Sequence, residues 1–309
     1  MHVSRRQALA AAAAALPAMA LTAPRPAQAR AEMQGAGAAP WNRFKLGDFE
    51  VTTILAGTRT VPNPHDIFGL NASDEEFAAA AEAAFIPADK AQFFFTPTLV
   101  NTGSELILFD TGLDGGAMAA ALTAAGIAPE SVDKVVITHM HGDHIGGLMG
   151  ESGPTFANAT YVTGAIENNH WSAQNNEGYE AKVRPLLEKF TFIDDGGSVA
   201  PGITGMLAAG HTPGHMVYQL ESGGQRLMIT ADTANHYVWS LAHPEWEVSF
   251  DNDKAMAAES RKKVFGMIAA DRIPFVGYHM PFPALGYVAA EGEGFRYVPT
   301  SYQFRLDES

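Results

Sequence analysis

Apolar and polar positions recur with two different periods along this 309-residue chain, and the changes of period divide it into strands and helices. Residues 44–55 and 93–100 are rich in aromatic and β-branched side chains, which predicts strands. Between them, Ser73-Asp74-Glu75-Glu76 has the form of a capping box and predicts a helix running to about Phe85. Residues 105–109 predict an apolar strand ending in Asp110-Thr111-Gly112, with a helix over residues 116–125 behind it. Further on, the pattern predicts a helical stretch near 181–190, strands at 202–208, 216–221 and 226–230, a helix over 254–270 and a last strand at 274–278. Leu106-Ile107-Leu108-Phe109-Asp110-Thr111 and Leu227-Met228-Ile229-Thr230-Ala231-Asp232-Thr233 look alike, each an apolar strand delivering a carboxylate at its end. That is the pattern of a duplicated half-domain with a site in the seam. Mixed strands and helices of this kind predict an α/β (α+β) chain with helices outside central sheets.

The first residues change the picture of where such a domain works. Ser4-Arg5-Arg6, an uncharged Ala-rich run to Ala23, and Ala27-Gln28-Ala29 form the pattern of a twin-arginine export signal over residues 1–29. The expectation is a periplasmic or secreted protein. Residues 30–42 are Gly/Ala-rich and predict a flexible segment, leaving 43–309 as the domain. The apolar run is Ala-rich and closely followed by Pro24 and Pro26, so no membrane span is expected in the mature form.

There are no cysteines, which excludes disulfides, thiolate metal sites, a cysteine nucleophile and iron–sulfur clusters. Removing residues 1–29 takes away Arg5, Arg6 and Arg25 and no acid, so the formal charge falls from −14 to about −17. A body that acidic is a poor partner for phosphate backbones, so no nucleic-acid partner is expected.

The chemistry is concentrated in Thr138-His139-Met140-His141-Gly142-Asp143-His144, which follows the apolar run Val135-Val136-Ile137. Three imidazoles and a carboxylate crowd into six residues, and no folding argument favours that crowding. Imidazole nitrogen and carboxylate oxygen are transition-metal ligands, and Zn²⁺ takes four of them. Further donors follow in His211-Thr212-Pro213-Gly214-His215, at Asp232 and at His279. Taken singly, His215 reads as a polar loop residue and His279 as a strand-end surface histidine; the ordered set points to metal. His65, His170, His236 and His243 have no ligand spacing.

In order and motif by motif, Asp110, His139-x-His141-x-Asp143-His144, His215, Asp232 and His279 resemble the metallo-β-lactamase superfamily. Gly146-Gly147-Leu148-Met149, His211-Thr212-Pro213-Gly214-His215, Phe282-Pro283 and Gly294-Phe295-Arg296-Tyr297-Val298-Pro299 are similar to its methyl parathion hydrolase group and lactonase or arylesterase relatives. The resemblance implies a four-layered αβ/βα sandwich of two mixed sheets with outer helices and a dinuclear metal site at one edge. It implies two divalent ions, zinc first, with His139, His141 and His215 on one, Asp143, His144 and His279 on the other, and Asp232 bridging. Asp143 and Asp232 would thereby serve catalysis, a hydroxide shared by the metals being the nucleophile. Asp110 is expected behind the ligands, fixing an imidazole. His211 is expected beside it in the same supporting role or as a purely structural residue. Many lactonases of the family place a Tyr three residues after the bridging Asp; here Asn235 stands there and keeps only a hydrogen-bond donor.

The substrate implied is a small-molecule lactone or aryl ester, with phosphotriesters as a further class. The alternatives are a methyl parathion-type phosphotriesterase and, in another class, a non-catalytic periplasmic metal-binding protein. Trp171 and Phe282 are expected to form an aromatic pocket wall with Asn235 nearby, whereas Phe94 and Phe95 read first as core. Relatives form dimers, so a homodimer is one state the resemblance admits.

Overall fold

The computed structural model describes residues 39–306. The export signal expected over residues 1–29 lies outside the described residues. The extended run predicted over 44–55 is a hairpin: β1 (Trp41–Leu46) and β2 (Phe49–Ile54) pair antiparallel with Leu46 opposite Phe49. Gly47 makes the turn at φ +58°, where a Cβ would stand 2.3 Å from the Ser222 carbonyl oxygen, so only glycine fits. Of the segment expected to be loose over 30–42, Trp41 and Asn42 belong to β1, and residues 30–38 lie outside the described residues. The strand predicted over 93–100 is also two. β4 (Lys90–Phe95) pairs with β3 (Gly57–Pro62) in a separate ribbon, and β5 (Thr98–Asn101) joins the first large sheet. Pro97, which has no N–H for a ladder, lies at the break.

The first sheet has the order β1-β2-β5-β6-β7-β10-β11, with β6 (Leu106–Phe109), β7 (Lys134–Ile137), β10 (Thr160–Gly164) and β11 (Phe190–Ile193). A two-strand hairpin, β8 (Met149–Gly150) and β9 (Gly153–Pro154), stands apart. The second sheet runs β12-β13-β14-β15-β16-β17-β18. Its members are β12 (Ser198–Ala200), β13 (Ile203–Leu207), β14 (Met216–Ser222), β15 (Gln225–Ile229), β16 (Phe275–Val276), β17 (Leu285–Glu291) and β18 (Gly294–Pro299). Strand alternation divides the apolar residues between two cores. Val51, Val100, Phe109 and Val136 meet Tyr218, Leu227 and Ile229 between the sheets. Ile54, Leu99, Leu108, Val135 and Ile137 face outwards, onto Met118 and Leu122 of α2 (Gly115–Ala124). On the other side, α5 (Lys254–Asp271) lays Val264, Phe265 and Ile268 against the second sheet. The expected four-layered αβ/βα sandwich is the observed architecture. The helix opened by Ser73 is α1 (Asp74–Ala83), with its capping box formed.

The two look-alike segments take equivalent places. β6 and β15 are each the fourth strand of their sheet, antiparallel to one neighbour and parallel to the other. Each is followed by a non-glycine residue with positive φ, Asp110 at 59° and Ala231 at 42°. Both strands therefore deliver their carboxylates at carboxyl ends, where open α/β sheets place their chemistry.

Candidate metal centre

β7 ends at Ile137 and hands the chain to Thr138-His139-Met140-His141, which leads into the short α3 (Gly142–Ile145). Gly146 and Gly147 follow because the loop after Asp110 packs directly on them. A Cβ at Gly147 would stand 2.0 Å from the Thr111 carbonyl oxygen. Asp110 is buried beneath this turn. Its Oδ1 accepts from Thr138 N–H at 2.9 Å, and its Oδ2 accepts from the Thr138 hydroxyl and from His144 Nδ1, both at 2.9 Å. That bond fixes the His144 tautomer and leaves Nε2 free to face the site. Burial raises the Asp110 pKa, against the pull of His144 and Thr138.

Three ring nitrogens converge next to it. His139 Nε2 lies 3.1 Å from His141 Nδ1, and His211 Nε2 is 3.1 Å from the former and 3.0 Å from the latter. Three mutual contacts between single lone pairs cannot all be hydrogen bonds, since each ring nitrogen carries one proton or none. A triangle with edges near 3 Å is the face of a tetrahedral ligand set at about 2.0–2.1 Å bond lengths. Burial and the neighbouring His211 push the His141 pKa down to about 3, and burial also holds His139 well below its ordinary value. These rings are neutral and available as ligands.

A second group faces it. Asp143 Oδ2 lies 3.3 Å from His279 Nε2 and 3.5 Å from His144 Nε2. His279 is oriented by its Nδ1, which donates to the Phe94 carbonyl at 2.8 Å. Asp232 stands between the groups: Oδ2 is 3.3 Å from His211 Nε2 and 3.2 Å from His279 Nε2, and Oδ1 is 3.2 Å from His144 Nε2. His144 Nε2 and Asp232 Oδ1 are buried and make no hydrogen bond despite that distance. Burial opposes ionisation of Asp232, yet His279 and His144 outweigh it and hold the carboxyl well below its usual range. In turn Asp232 and Asp143 outweigh the burial of His279 and push it up to about 10. The buried carboxylates demand positive charge here, and with protons alone the two histidines must carry it. Orphaned donors, converging lone pairs and unbalanced acids fit a pair of divalent cations.

His215 is the correction to the expected ligand set. Its Nε2 accepts from the backbone N–H of Asp232 at 3.1 Å and its buried Nδ1 has no partner, so it supports Asp232 from behind. His211, expected only in support, takes the place among the nitrogens. Its Nδ1 bonds Asp251 Oδ1 at 2.9 Å, and Asp251 Oδ2 accepts from Arg261 Nη2 at 3.0 Å. Asp251 and Arg261 are both buried and neither is signalled by the sequence, His211 lying 40 residues before Asp251. The backbone carbonyl of Asp143 accepts from the Tyr278 hydroxyl at 2.5 Å, another support without a local motif.

A cavity of about 360 Å³ opens onto both groups. His141, Asp143, His211, Asp232 and His279 line one side; Phe93, Phe95, Phe250, Ile67 and Arg59 are among the residues opposite. Phe93 and Phe95 present their rings edge-on to His279, with centroids 5.4 and 5.6 Å away. The expected pocket residues are placed otherwise. Trp171 is buried, its Nε1 donates to Glu167 Oε1 at 2.6 Å, and it packs against His141 from the core side. Phe282 is half-buried and outside this lining. Asn235 is buried with its amide donating to Asp232 Oδ2 at 2.8 Å, so its donor is committed to the carboxylate rather than to the cavity. Phe95 lines this cavity, and Phe94 lines a neighbouring one of about 500 Å³ on the other face of the ribbon.

Residues 96–274 match the metallo-beta-lactamase superfamily. An N-acyl homoserine lactonase of Bacillus sp. is 27% identical over 162 residues, which cover 51% of this chain and 60% of that protein. The chain thus spans little more than half the length of the curated lactonases it matches. The solved structure of AidC, a dizinc quorum-quenching lactonase in complex with a product N-acyl-L-homoserine, superposes with a TM-score of 0.78. It is 26% identical, over 85% of this chain and 98% of that one. The hydrolase AbOPH, at 24% identity over 87% of this chain and 100% of its own, gives the same TM-score and the same fold. Family match, sandwich and converging His/Asp groups agree: the chain belongs to the metallo-beta-lactamase superfamily.

Proposed function

We propose that this chain is a metal-dependent hydrolase that holds two divalent ions, zinc first, and opens lactones or cleaves aryl esters. One observation carries the reading: Asp232 stands between two donor groups, its Oδ2 within 3.3 Å of both His211 and His279 and its Oδ1 3.2 Å from His144. His139, His141 and His211 would hold one ion, Asp143, His144 and His279 the other, with Asp232 shared. When bound, such a pair supplies an activated water and a Lewis acid for the substrate oxygen. The protein's part is positional. Asp110, Asp251 and the Phe94 carbonyl each fix one imidazole by its outer nitrogen. Phe93, Phe95 and Phe250 exclude water and take an apolar acyl or aryl group. The N-acyl homoserine lactonases among its relatives support the lactone part of this reading. Metal analysis of the purified protein, with parallel kinetics on a lactone, an aryl ester and a dialkyl aryl phosphate, tests this. Two ions per chain and preference for the carboxyl substrates are expected. Turnover of the phosphotriester alone would make phosphotriester hydrolysis the function, and bound metal without turnover of any of the three would leave a non-catalytic metal-binding protein.

We also infer export by the twin-arginine route, supported by Ser4-Arg5-Arg6 and Ala27-Gln28-Ala29. Arg5→Lys with Arg6→Lys should leave precursor in the cytoplasm, because the guanidinium pair rather than its charge is recognised. Normal periplasmic delivery of that variant would rule the route out.

A further inference from the structure

Glu167 is fully buried in α4 (Ala165–Ser172), and among the described residues no cation pairs with it. An isolated buried carboxylate is costly unless donors surround it, and here four do. Oε1 accepts from Met140 N–H at 2.8 Å and Trp171 Nε1–H at 2.6 Å. Oε2 accepts from the Thr212 hydroxyl at 2.7 Å and Gly214 N–H at 3.0 Å. Every one of these partners leads to the three-nitrogen group. Met140 lies between His139 and His141. Thr212 and Gly214 follow His211. Trp171 packs edge-on against the His141 ring, with centroids 5.8 Å apart. Gly214 sits so close that a Cβ there would lie 2.1 Å from Glu167 N. Another backbone bond, Met216 N–H to the Thr138 carbonyl at 3.0 Å, ties the roots of the same two loops. Glu167 ties their tips.

We propose that Glu167 is a positioning residue that sets the spacing of His139, His141 and His211, and so the metal affinity of that group and not of the other. The inference rests on the proposed dinuclear site. Only an acceptor-only group satisfies four donors at once; the amide of Gln would turn one oxygen into an N–H facing two donors. A residue serving the fold alone would weaken both groups equally, whereas a clamp between these two loops weakens one.

The test measures zinc affinity by competition with a chelator in full-length protein carrying one intact group. In a His279→Ala background the three-histidine group remains, and in a His211→Ala background the Asp143/His144/His279 group remains. Glu167→Gln should cost about 10–100-fold in zinc affinity in the first background, the range seen when supporting hydrogen bonds to ligands are lost. In the second it should change affinity by less than about 3-fold. If Glu167→Gln does not fold, Thr212→Val removes one donor at constant volume and should show the same asymmetry, at about 3–10-fold. Equal losses in both backgrounds, or none in the first, overturn the proposal. Failure of the unaltered protein to bind zinc at all would instead overturn the dinuclear reading beneath it.

Discussion

His211 Nδ1 and Asp251 Oδ1 lie 2.9 Å apart, both buried, and Arg261 closes the other side of the carboxylate. The ring is thereby oriented with Nδ1 towards the acid and Nε2 turned to the site, and the acid behind it makes Nε2 a better metal ligand. Asp251→Asn keeps the shape but lets the ring choose the wrong tautomer. Zinc affinity should fall about 10–100-fold with the fold unchanged by circular dichroism. Unaltered affinity would show that the ring needs no such support.

The choice between His211 and His215 is open to a direct comparison. His211→Ala should remove one ion per chain and lower kcat/KM by on the order of 100-fold or more, the contribution of an ion to transition-state charge being several kcal/mol. His215→Gln should keep two ions per chain, since that ring accepts from the Asp232 backbone and lies outside the converging nitrogens of His139, His141 and His211. Metal counts that come out the other way round would restore His215 as the ligand.

Selectivity should reside in the ribbon. Phe93→Ala or Phe95→Ala removes apolar area from the cavity wall and should cost ~1–3 kcal/mol, or ~10–200-fold, in kcat/KM for aryl and long-chain substrates. Small aliphatic esters should be affected much less. Phe282→Ala, outside that lining, should not discriminate between the two kinds of substrate. Equal losses for bulky and small substrates in the Phe93 and Phe95 variants would assign those rings to packing.

Acid stability should depend on His236. Its Nδ1 accepts from Val238 N–H and Trp239 N–H, both at 3.2 Å, capping the π-helical turn Tyr237–Ala242. Burial pushes its pKa down to about 3 from the ordinary 6.5. As pH falls, the unfolded chain takes up this proton before the folded one. The contribution is therefore complete above about pH 6.5 and is lost progressively towards about pH 3. His236→Asn retains a capping acceptor and removes the titration. Its Tm should fall less than that of the unaltered protein between about pH 7 and about pH 5. A fall of equal size would show that other groups set the acid limb.

The contiguous donors were legible in the sequence because His139, His141, Asp143 and His144 need only one strand end and one turn to converge. So were the equivalent carboxylate-bearing strands, since apolar periodicity records burial on one face or two, whereas the sandwich itself was carried by the family resemblance. His211 and His215 could not be separated that way. Both flank one Thr-Pro-Gly turn, and which ring faces the site is decided by Gly214 packing on Glu167 and by the bond between Met216 and Thr138. The aromatic wall was missed for a related reason. Phe93, Phe94 and Phe95 are consecutive, and only the pairing of β4 with β3, away from both sheets, shows which faces open space. Glu167 and Asp251 gave no signal at all, being single acids that reach the site's loops only through partners remote in sequence, Thr212 and Gly214 for one and His211 for the other.

The donors also divide along the chain. His139, His141, Asp143 and His144 come from the half that builds the first sheet, and His211, Asp232 and His279 from the half that builds the second. Ions held between them would act as rivets across the sandwich, binding the folded chain and not its separated halves. At a free concentration a thousand times the dissociation constant, one such site adds about 4 kcal/mol to stability. Metal scarcity would then shorten the lifetime of the protein as well as silence it, and a chelator would lower the melting temperature and the turnover together.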